Sequence, residues 1–189
     1  MRVVKLGGSL LRDPLLPAWL DRIARAGPIA VVPGGGAFAD AARAAQAHWR
    51  VDDLAAHNMA ALGMAQCAHL LHGLEPRLAL ADSVASLQAH LAAGRAAIWL
   101  PLDLQRDTAD ALTTWDVTSD SLAAWLALRL GVDELVLVKS CAVPAGAPPA
   151  ALSAAGIVDR AFPAYAGQCA QAGIACRILN RAEFDHALV

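Results

Sequence analysis

The chain has 189 residues, of which 57% are hydrophobic, and a formal net charge of −2. This length suits one domain, and no apolar run reaches the roughly 18 to 20 residues that a membrane span requires. Without a basic run, the chain lacks the charge pattern of a nucleic-acid-binding protein. The first residues do not resemble a secretory signal and the four cysteines are scattered, so we expect a cytoplasmic protein with reduced thiols.

Short apolar runs alternate with helix-length segments along the chain. The predicted strands are residues 2–6, 28–32, 77–80, 96–100, 134–138 and 174–179, and the predicted helices include residues 37–46, 53–72, 83–93 and 119–130. This alternation predicts an α/β fold, a three-layer αβα sandwich with a mostly parallel central sheet. In the second helix, Met59, Leu62, Gln66 and Leu70 fall within one stripe at helical spacing. Residues 142–149, with three prolines, predict a loop.

The first glycine-rich segment, KLGGS, follows the first predicted strand. In an open parallel sheet, ligands bind outside the carboxyl ends of the strands. Gly7 and Gly8 let the backbone approach a phosphate with free amide groups, while Lys5 supplies a cation and Ser9 could donate a hydrogen bond. A tight turn beside a surface lysine is the alternative interpretation.

The second glycine-rich segment, Gly34, Gly35 and Gly36, follows the second predicted strand. Three consecutive glycines are costly in conformational entropy, so we interpret them as backbone that wraps a ligand, although a sharp turn explains one or two of them. A second anion cradle would suit an acceptor that carries phosphate or carboxylate. Neither loop matches the P-loop or the dinucleotide-binding motif, which disfavours both classes of protein.

Two charged residues lie at later element boundaries. Asp120 is in the first turn of the helix at residues 119–130, which Thr118 or Ser119 could cap. Its carboxylate could hold lysines in place or help to bind Mg²⁺, and favouring the helix dipole is the alternative role. Lys139 ends the apolar strand at residues 134–138, where ligands bind, although a solvated strand end is the alternative.

Two other pairs of residues could have either a functional or a purely structural role. His69 and His72 lie at helical spacing but have no third ligand nearby in sequence, so we expect no protein metal site there. Asp159 and Phe162 either approach the nucleotide or are an acid at a helix start beside a buried aromatic residue. Both alternatives stay open at this point.

Four motifs, KLGGSLL, VPGGGAFAD, DVTSDSLAAWLA and ELVLVKS, occur in the order that is typical of the amino acid kinase family, which the chain resembles over residues 2–140. Within that family, WDVTSDSLAA, LVKS and AHNMAALGMAQ are most similar to the kinases that phosphorylate aminomethylfuran-methyl phosphate in methanofuran biosynthesis. The sequence departs from many relatives because Lys139, Ser140, Cys141 and Ala142 replace a threonine-aspartate pair after the fifth strand.

The resemblance implies the roles of particular residues. Catalysis would fall to Lys5, Asp120 and Lys139. The ATP phosphates would be bound by Gly7, Gly8, Ser9 and Ser140, and the acceptor by Gly34, Gly35, Gly36, His57 and Ser119. It also implies a single domain, residues 1–189, with an acceptor-side half at about 1–115 and a nucleotide-side half at about 116–189.

The implied activity is transfer of the γ-phosphoryl group of MgATP to a small phosphate monoester, which would give a diphosphate. The implied cofactors are ATP and Mg²⁺, and the implied partners are the small acceptor and a second copy of the chain. Two alternatives remain: a kinase for a carboxylate or carbamate acceptor, and a nucleotide- or oxyanion-binding protein without catalysis.

Overall fold

The computed structural model describes residues 1–187, and the side chains of residues 1–184. Its strands are β1 (Arg2–Leu6), β2 (Ile29–Pro33), β3 (Ala79–Ala81), β4 (Ala97–Trp99), β5 (Glu134–Lys139) and β6 (Ala175–Asn180). They form one sheet in the order β3-β4-β2-β1-β5-β6, and every pairing given for it is parallel. The six predicted strands are therefore confirmed, with shifts of one or two residues at most of their ends.

The helices follow the strands as an alternating fold requires. They are α1 (Leu16–Arg25), α2 (Gly36–Trp49), α3 (Asp53–Leu74), α4 (Val84–Ala92), α5 (Ser119–Leu130), α6 (Pro149–Ala154), α7 (Phe162–Gln171) and α8 (Arg181–Ala187). The predicted loop at residues 142–149 ends where α6 begins, because Pro149 is tolerated in the first turn of a helix. Among the described residues, no helix is both long and apolar enough to cross a bilayer.

Helices cover both faces of the sheet, which confirms the three-layer sandwich. Side chains alternate along β1, so Val3 packs in a core with α5 and α7, while Val4 packs in a second core with α1. The second core also contains Phe184 of α8, whose ring lies edge-on to Trp19 at 5.7 Å between centroids. The division into acceptor-side and nucleotide-side halves stays a prediction.

The stripe predicted on α3 does not face the core. Met59, Leu62 and Leu70 are 38%, 46% and 43% exposed, and Gln66 is exposed as well. Because α3 is apolar on most of its surface, spacing alone does not identify the buried side. Small residues let the helix pack closely, and the buried side consists of Ala56, Ala61, Gly63, Met64, Ala65, Cys67, Ala68 and Leu71.

Candidate active site

Strand register brings two lysines to the same place. Lys5 pairs with Leu137 across β1 and β5, so Lys139 lies two residues further along β5. Because side chains two residues apart share a face, both lysines point to the side of the sheet that α5 covers. They are the only lysines in the chain, beside 13 arginines. A lysine is a compact point charge, which suits contact with a single phosphoryl group.

Asp120, in the first turn of α5, joins the two lysines. Its Oδ1 lies 2.8 Å from Lys5 Nζ, and its Oδ2 accepts a hydrogen bond of 2.5 Å from Lys139 Nζ. All three residues are buried: Lys5 and Asp120 are each 4% exposed, and Lys139 is 9% exposed. The structure thus brings Lys5 and Lys139 together on one carboxylate, whereas their catalytic roles stay predictions. We call these three residues the lysine cluster.

The lysine cluster keeps its carboxylate ionised. Burial alone would raise the pKa of Asp120, but Lys5 and Lys139 more than compensate, and its pKa lies below the usual value. Burial lowers the pKa of Lys139, and the nearby Lys5 lowers it further, while Asp120 opposes both effects. With both lysines protonated, the cluster has one net positive charge beside the ends of β1 and β5.

The two glycine loops contact each other through their backbones. A Cβ on Gly8 would lie 2.3 Å from the Gly36 nitrogen, and one on Gly34 would lie 2.4 Å from the Gly8 nitrogen. Gly34 N donates to Leu6 O at 2.8 Å, and Gly36 has a φ of 51°, a conformation that favours glycine. At these positions glycine is needed because the two loops pack so closely.

Of the residues predicted to bind ATP phosphates, Gly7 lies beside the lysine cluster and Ser140 directly follows Lys139. A Cβ on Gly7 would lie 3.7 Å from Lys5 Nζ. Ser9 and Ser140, which are both exposed, share a hydrogen bond of 2.8 Å between their hydroxyl groups. The hydroxyls that follow β1 and β5 are thus adjacent, at the same edge of the sheet as the lysines.

A cavity of about 370 Å³ opens beside the two glycine loops. Six predicted site residues line it: Gly8, Ser9, Gly35, Gly36, His57 and Ser119. Gly34 is not among the lining residues, and its part in acceptor binding stays a prediction. The other polar or bulky lining residues, none of them predicted to bind a substrate, are Asp40, Arg43, Asp53, Met64, Thr114, Trp115, Thr118 and Leu122. We call this space the acceptor cavity.

Helical spacing explains part of what the sequence analysis missed. Asp40 and Arg43 follow Gly36 by four and seven residues on α2, so all three lie on one face of that helix. The guanidinium carbon of Arg43 lies 4.0 Å from the centroid of the Trp115 ring. Counting turns forward from the second glycine loop would have found Asp40 and Arg43. Nothing in the local sequence places Trp115 against them.

His57 has one ring nitrogen engaged. Its Nε2 lies 2.9 Å from the backbone oxygen of Leu104. A carbonyl oxygen can only accept, so Nε2 is the protonated nitrogen and Nδ1 is left for a ligand in the acceptor cavity. The neighbouring Asn58 binds Arg106 through two hydrogen bonds, which ties the segment after β4 to α3.

The structure decides between the two interpretations of Asp159 and Phe162. The Asp159 carboxylate accepts a hydrogen bond of 2.9 Å from the backbone N–H of Phe162 at the start of α7, and Phe162 is completely buried. Asp159 is therefore an acid at a helix start beside a buried aromatic residue. Thr118 or Ser119 was predicted to cap α5, and Thr118 occupies the N-cap position, although its side chain makes no capping hydrogen bond.

A second cavity, of about 340 Å³, lies between the segment after β5 and strand β6. Its lining is mostly apolar and consists of Val143, Pro144, Ala145, Gly146, Ala147, Pro149, Leu152, Cys176, Ile178, Leu179 and Glu183. The side-chain amide of Asn180 donates to the backbone oxygen of Cys141 at 2.6 Å, which fixes the start of this segment to the end of β6. The second cavity is thus next to Ser140.

The model of the amino acid kinase family matches residues 1–142. This chain belongs to the amino acid kinase family. The resemblance found in four short motifs is thereby confirmed, and the match covers the lysine cluster and both glycine loops. The motifs that carry these residues lie in the order expected of the family.

Individual relatives agree with this assignment. The chain is 30% identical over 144 residues to the [5-(aminomethyl)furan-3-yl]methyl phosphate kinase of Methanocaldococcus jannaschii, a match that spans 72% of this chain and 64% of that relative. The uridylate kinase of Archaeoglobus fulgidus superposes with a TM-score of 0.72 over 100% of this chain and 94% of its own, at 15% identity. The UMP kinase of Bacillus anthracis superposes with a TM-score of 0.66 over 97% and 87%, at 16% identity. At such low identities, the structural matches show the fold alone.

Proposed function

We propose that the chain transfers the γ-phosphoryl group of MgATP to a small phosphate monoester and so forms a diphosphate. The observation that supports this most directly is the lysine cluster, in which two buried ammonium groups converge on Asp120 beside the acceptor cavity. Membership of the amino acid kinase family supports the same reaction type. The match spans 64% of the M. jannaschii relative, less than two thirds of its length, so that protein's activity enters only as part of this proposal.

The chemistry needs positioning and positive charge more than covalent help. The transition state of phosphoryl transfer spreads negative charge over the oxygens of the migrating group. Lys5 and Lys139 would neutralise that charge, and Asp120 would keep their ammonium groups a fixed distance apart. The backbone of Gly7 and Gly8 would donate to the ATP phosphates, with the hydroxyls of Ser9 and Ser140 beside them. An acceptor phosphate is already ionised near neutral pH and needs no strong base.

The phosphate ligands would hold the Mg²⁺ ion that ATP brings. Among residues 1–184, no group of three His, Cys, Asp or Glu side chains could form a metal site. Both oxygens of Asp120 already contact lysines, so Asp120 fits the role of lysine holder better than that of metal ligand. When bound, the ion would add positive charge at the transferred group.

The acceptor cavity suits a small, flat phosphate ester that also has a cationic group. Arg43 could donate to the acceptor phosphate, His57 could donate to it through Nδ1 when both ring nitrogens are protonated, and Trp115 offers an aromatic wall. Asp40 and Asp53 place carboxylates in the same cavity, where an ammonium group could pair with them. Such an acceptor would resemble the one in the name of the M. jannaschii relative, an aminomethylfuran with a methyl phosphate. Methanofuran biosynthesis, which the sequence resemblance implies, would then be the pathway.

The nucleoside end of ATP would lie against the second cavity. That cavity lies beyond Ser140, and its walls offer apolar surface from Val143, Leu152 and Ile178 to a flat base. The phosphates would then run from β6 past Ser140 and Ser9 to the lysine cluster. No threonine-aspartate pair is present after β5, so these contacts would differ from those of many relatives.

A panel of acceptors tests the proposal. We would measure ADP release from MgATP with aminomethylfuran-methyl phosphate, UMP, a carboxylate such as N-acetylglutamate, and carbamate. The proposal predicts turnover that depends on the phosphate monoester, with the aminomethylfuran ester the best substrate. Preference for the carboxylate or carbamate would support the alternative kinase, and tight ATP binding without release of ADP for any acceptor would support a binding protein.

We also propose a cytoplasmic homodimer. The exposed side of α3 places Met59, Leu62, Leu70 and Leu74 in one row, and two antiparallel copies of such a row could pack on each other about a two-fold axis. Analytical ultracentrifugation should show a dimer that Leu62→Glu dissociates. A wild-type monomer at tens of micromolar would contradict this part of the proposal.

A further inference from the structure

Asp159, in the turn between α6 and α7, is bound by an unusual number of donors. Its carboxylate accepts hydrogen bonds from Thr118 N at 2.8 Å, Thr118 Oγ1 at 2.9 Å and Ser121 N at 2.9 Å. It also accepts from Ser121 Oγ, and from Phe162 N at 2.9 Å. Four of these five bonds come from the first turn of α5, about 40 residues earlier in the chain. One side chain therefore fixes the start of a distant helix.

Asp159 replaces the cap that α5 does not supply for itself. The first N–H groups of a helix have no partner within it, and a side chain at the N-cap position usually accepts from one of them. Thr118 holds that position, but its hydroxyl donates to Asp159 instead. The Asp159 carboxylate accepts from two backbone N–H groups at this end, where negative charge is also favoured by the helix dipole.

The same turn reaches the lysine cluster directly. The backbone N–H of Asp159 donates to Asp120 Oδ2 at 3.3 Å, and this oxygen also accepts from Lys139. Asp120 lies between Thr118 and Ser121 in sequence, so its backbone is held on both sides by the Asp159 carboxylate. The negative charge of Asp159 also raises the pKa of Lys139, in opposition to burial and to Lys5.

We propose that Asp159 is a positioning residue for phosphoryl transfer, which holds the first turn of α5 so that Asp120 keeps Lys5 and Lys139 in reacting geometry. Asp159 would contact neither substrate and would act through Asp120. This inference rests on the proposed function. One of its two readouts, however, does not require turnover.

Asp159→Asn is the principal test. It removes the negative charge of the side chain and replaces one acceptor oxygen by an NH₂ group, which would face hydrogen-bond donors. The first turn of α5 and Asp120 should therefore shift, and kcat should fall by about 10- to 100-fold, as expected when a catalytic group is displaced. The KM for ATP should change much less than kcat. Asp116→Asn is the matched control, because Asp116 is also an acid near the start of α5. Its exposed carboxylate pairs, among residues 1–184, with Arg160 alone, at 3.3 Å. We expect Asp116→Asn to keep wild-type kcat.

A spectroscopic readout separates positioning from general stability. Because the chain has only two lysines, protein labelled with ¹³C at the lysine ε carbon gives two side-chain signals. Asp159→Asn should shift the Lys139 signal and lower the pH at which it titrates, whereas Asp116→Asn should leave it in place. If wild-type protein phosphorylates no acceptor, the proposed function fails, yet these signals still test the role of Asp159.

Two further variants keep the test decisive. If Asp159→Asn does not fold, Ser121→Ala removes a single hydroxyl donor, and it should lower kcat severalfold and shift the Lys139 signal in the same way. In a protein that already carries Asp120→Asn, adding Asp159→Asn should lower kcat by less than about twofold further. The effects of residues that act as a unit are not additive. The proposal would be overturned if Asp159→Asn or Ser121→Ala kept wild-type kcat and left the Lys139 signal in place. It would also be overturned if the losses of kcat from Asp120→Asn and Asp159→Asn were fully additive.

Discussion

The lysine cluster and the acceptor cavity are adjacent but are built in different ways. The cluster consists of strand ends and one helix start, its three side chains are almost completely buried, and each contacts another member. The acceptor cavity lies between α2, α3 and the segment before α5, and Asp40, Arg43 and Asp53 in its lining are exposed. The residues proposed to transfer the phosphoryl group are therefore buried and held by one another, whereas Asp40, Arg43 and Asp53, which are proposed to face the acceptor, lie on helices and are exposed to solvent.

Removal of either lysine should have the largest effect. We expect Lys5→Ala and Lys139→Ala to lower kcat by about 10²- to 10³-fold, the size of comparable electrostatic deletions. The reason is that each variant removes charge that is held in place before the reaction begins. ADP release with the best acceptor is the measurement.

Arg95→Ala is a control for loss of one cation, because Arg95 is exposed at the amino end of β4, away from the lysines. It should keep wild-type kcat. Near-normal turnover in both lysine variants would remove the basis for treating the cluster as the catalytic part of the molecule.

Gly8 joins the two regions, and an added methyl group there should be the next most harmful change. In Gly8→Ala the new Cβ would lie 2.3 Å from the Gly36 nitrogen, so the two glycine loops would have to separate. Overpacking of this kind costs about 1–3 kcal/mol of stability, and misplacement of the loops should also reduce kcat. Thermal unfolding and ADP release would measure the two effects.

The matched control is Gly73→Ala, in the last turn of α3, where nothing lies within 4 Å of the added Cβ. Alanine is the better helix former, so this variant should be as stable as wild type or up to about 1 kcal/mol more stable. Equal melting temperatures for Gly8→Ala and wild type would contradict the close contact between the loops.

Arg43→Ala addresses the acceptor cavity alone. Loss of a charged contact to the acceptor phosphate should raise the KM for that acceptor about 10-fold, with little change in the KM for ATP. Arg129→Ala is the matched control, because Arg129 also lies over a tryptophan, Trp125, but at 5.0 Å and outside the cavity. A rise in the KM for ATP instead would place Arg43 on the nucleotide side and break the division between the two regions.

The sequence predicted the lysine cluster better than the acceptor cavity, for physical reasons. Strand periodicity and a parallel sheet are enough to bring Lys5 and Lys139 to one edge, since β1 and β5 are neighbours and side chains alternate. The acceptor cavity depends on how α2 and α3 pack on the segment before α5. The contact between Arg43 and Trp115 spans 72 residues and leaves no local pattern.

The same distinction applies to the buried side of α3 and to the capping of α5. Met59, Leu62 and Leu70 have helical spacing, yet α3 is apolar on several sides and buries its small residues instead. At α5, local sequence predicts Thr118 or Ser119 as the cap, and Thr118 does occupy the N-cap position, but the carboxylate that accepts from the first turn belongs to Asp159, 41 residues after Thr118. Contacts between distant segments decide both cases, and local propensity does not encode them.

The pH dependence of kcat should distinguish the lysine cluster from an ordinary pair of surface lysines, although its effect is the smallest. The charged groups that face Lys139 are Lys5, Asp120 and Asp159, and together with burial they leave its pKa below the usual 10.5. A lysine is charged below its pKa, so kcat should fall as pH rises through this lowered value, earlier than an unperturbed lysine would allow. In Lys139→Arg the guanidinium stays protonated, so the remaining activity should lose this alkaline limb. The ¹³C signal of Lys139 gives the titration directly, and a midpoint at or above 10.5 would mean that the surrounding charges do not act as the geometry indicates.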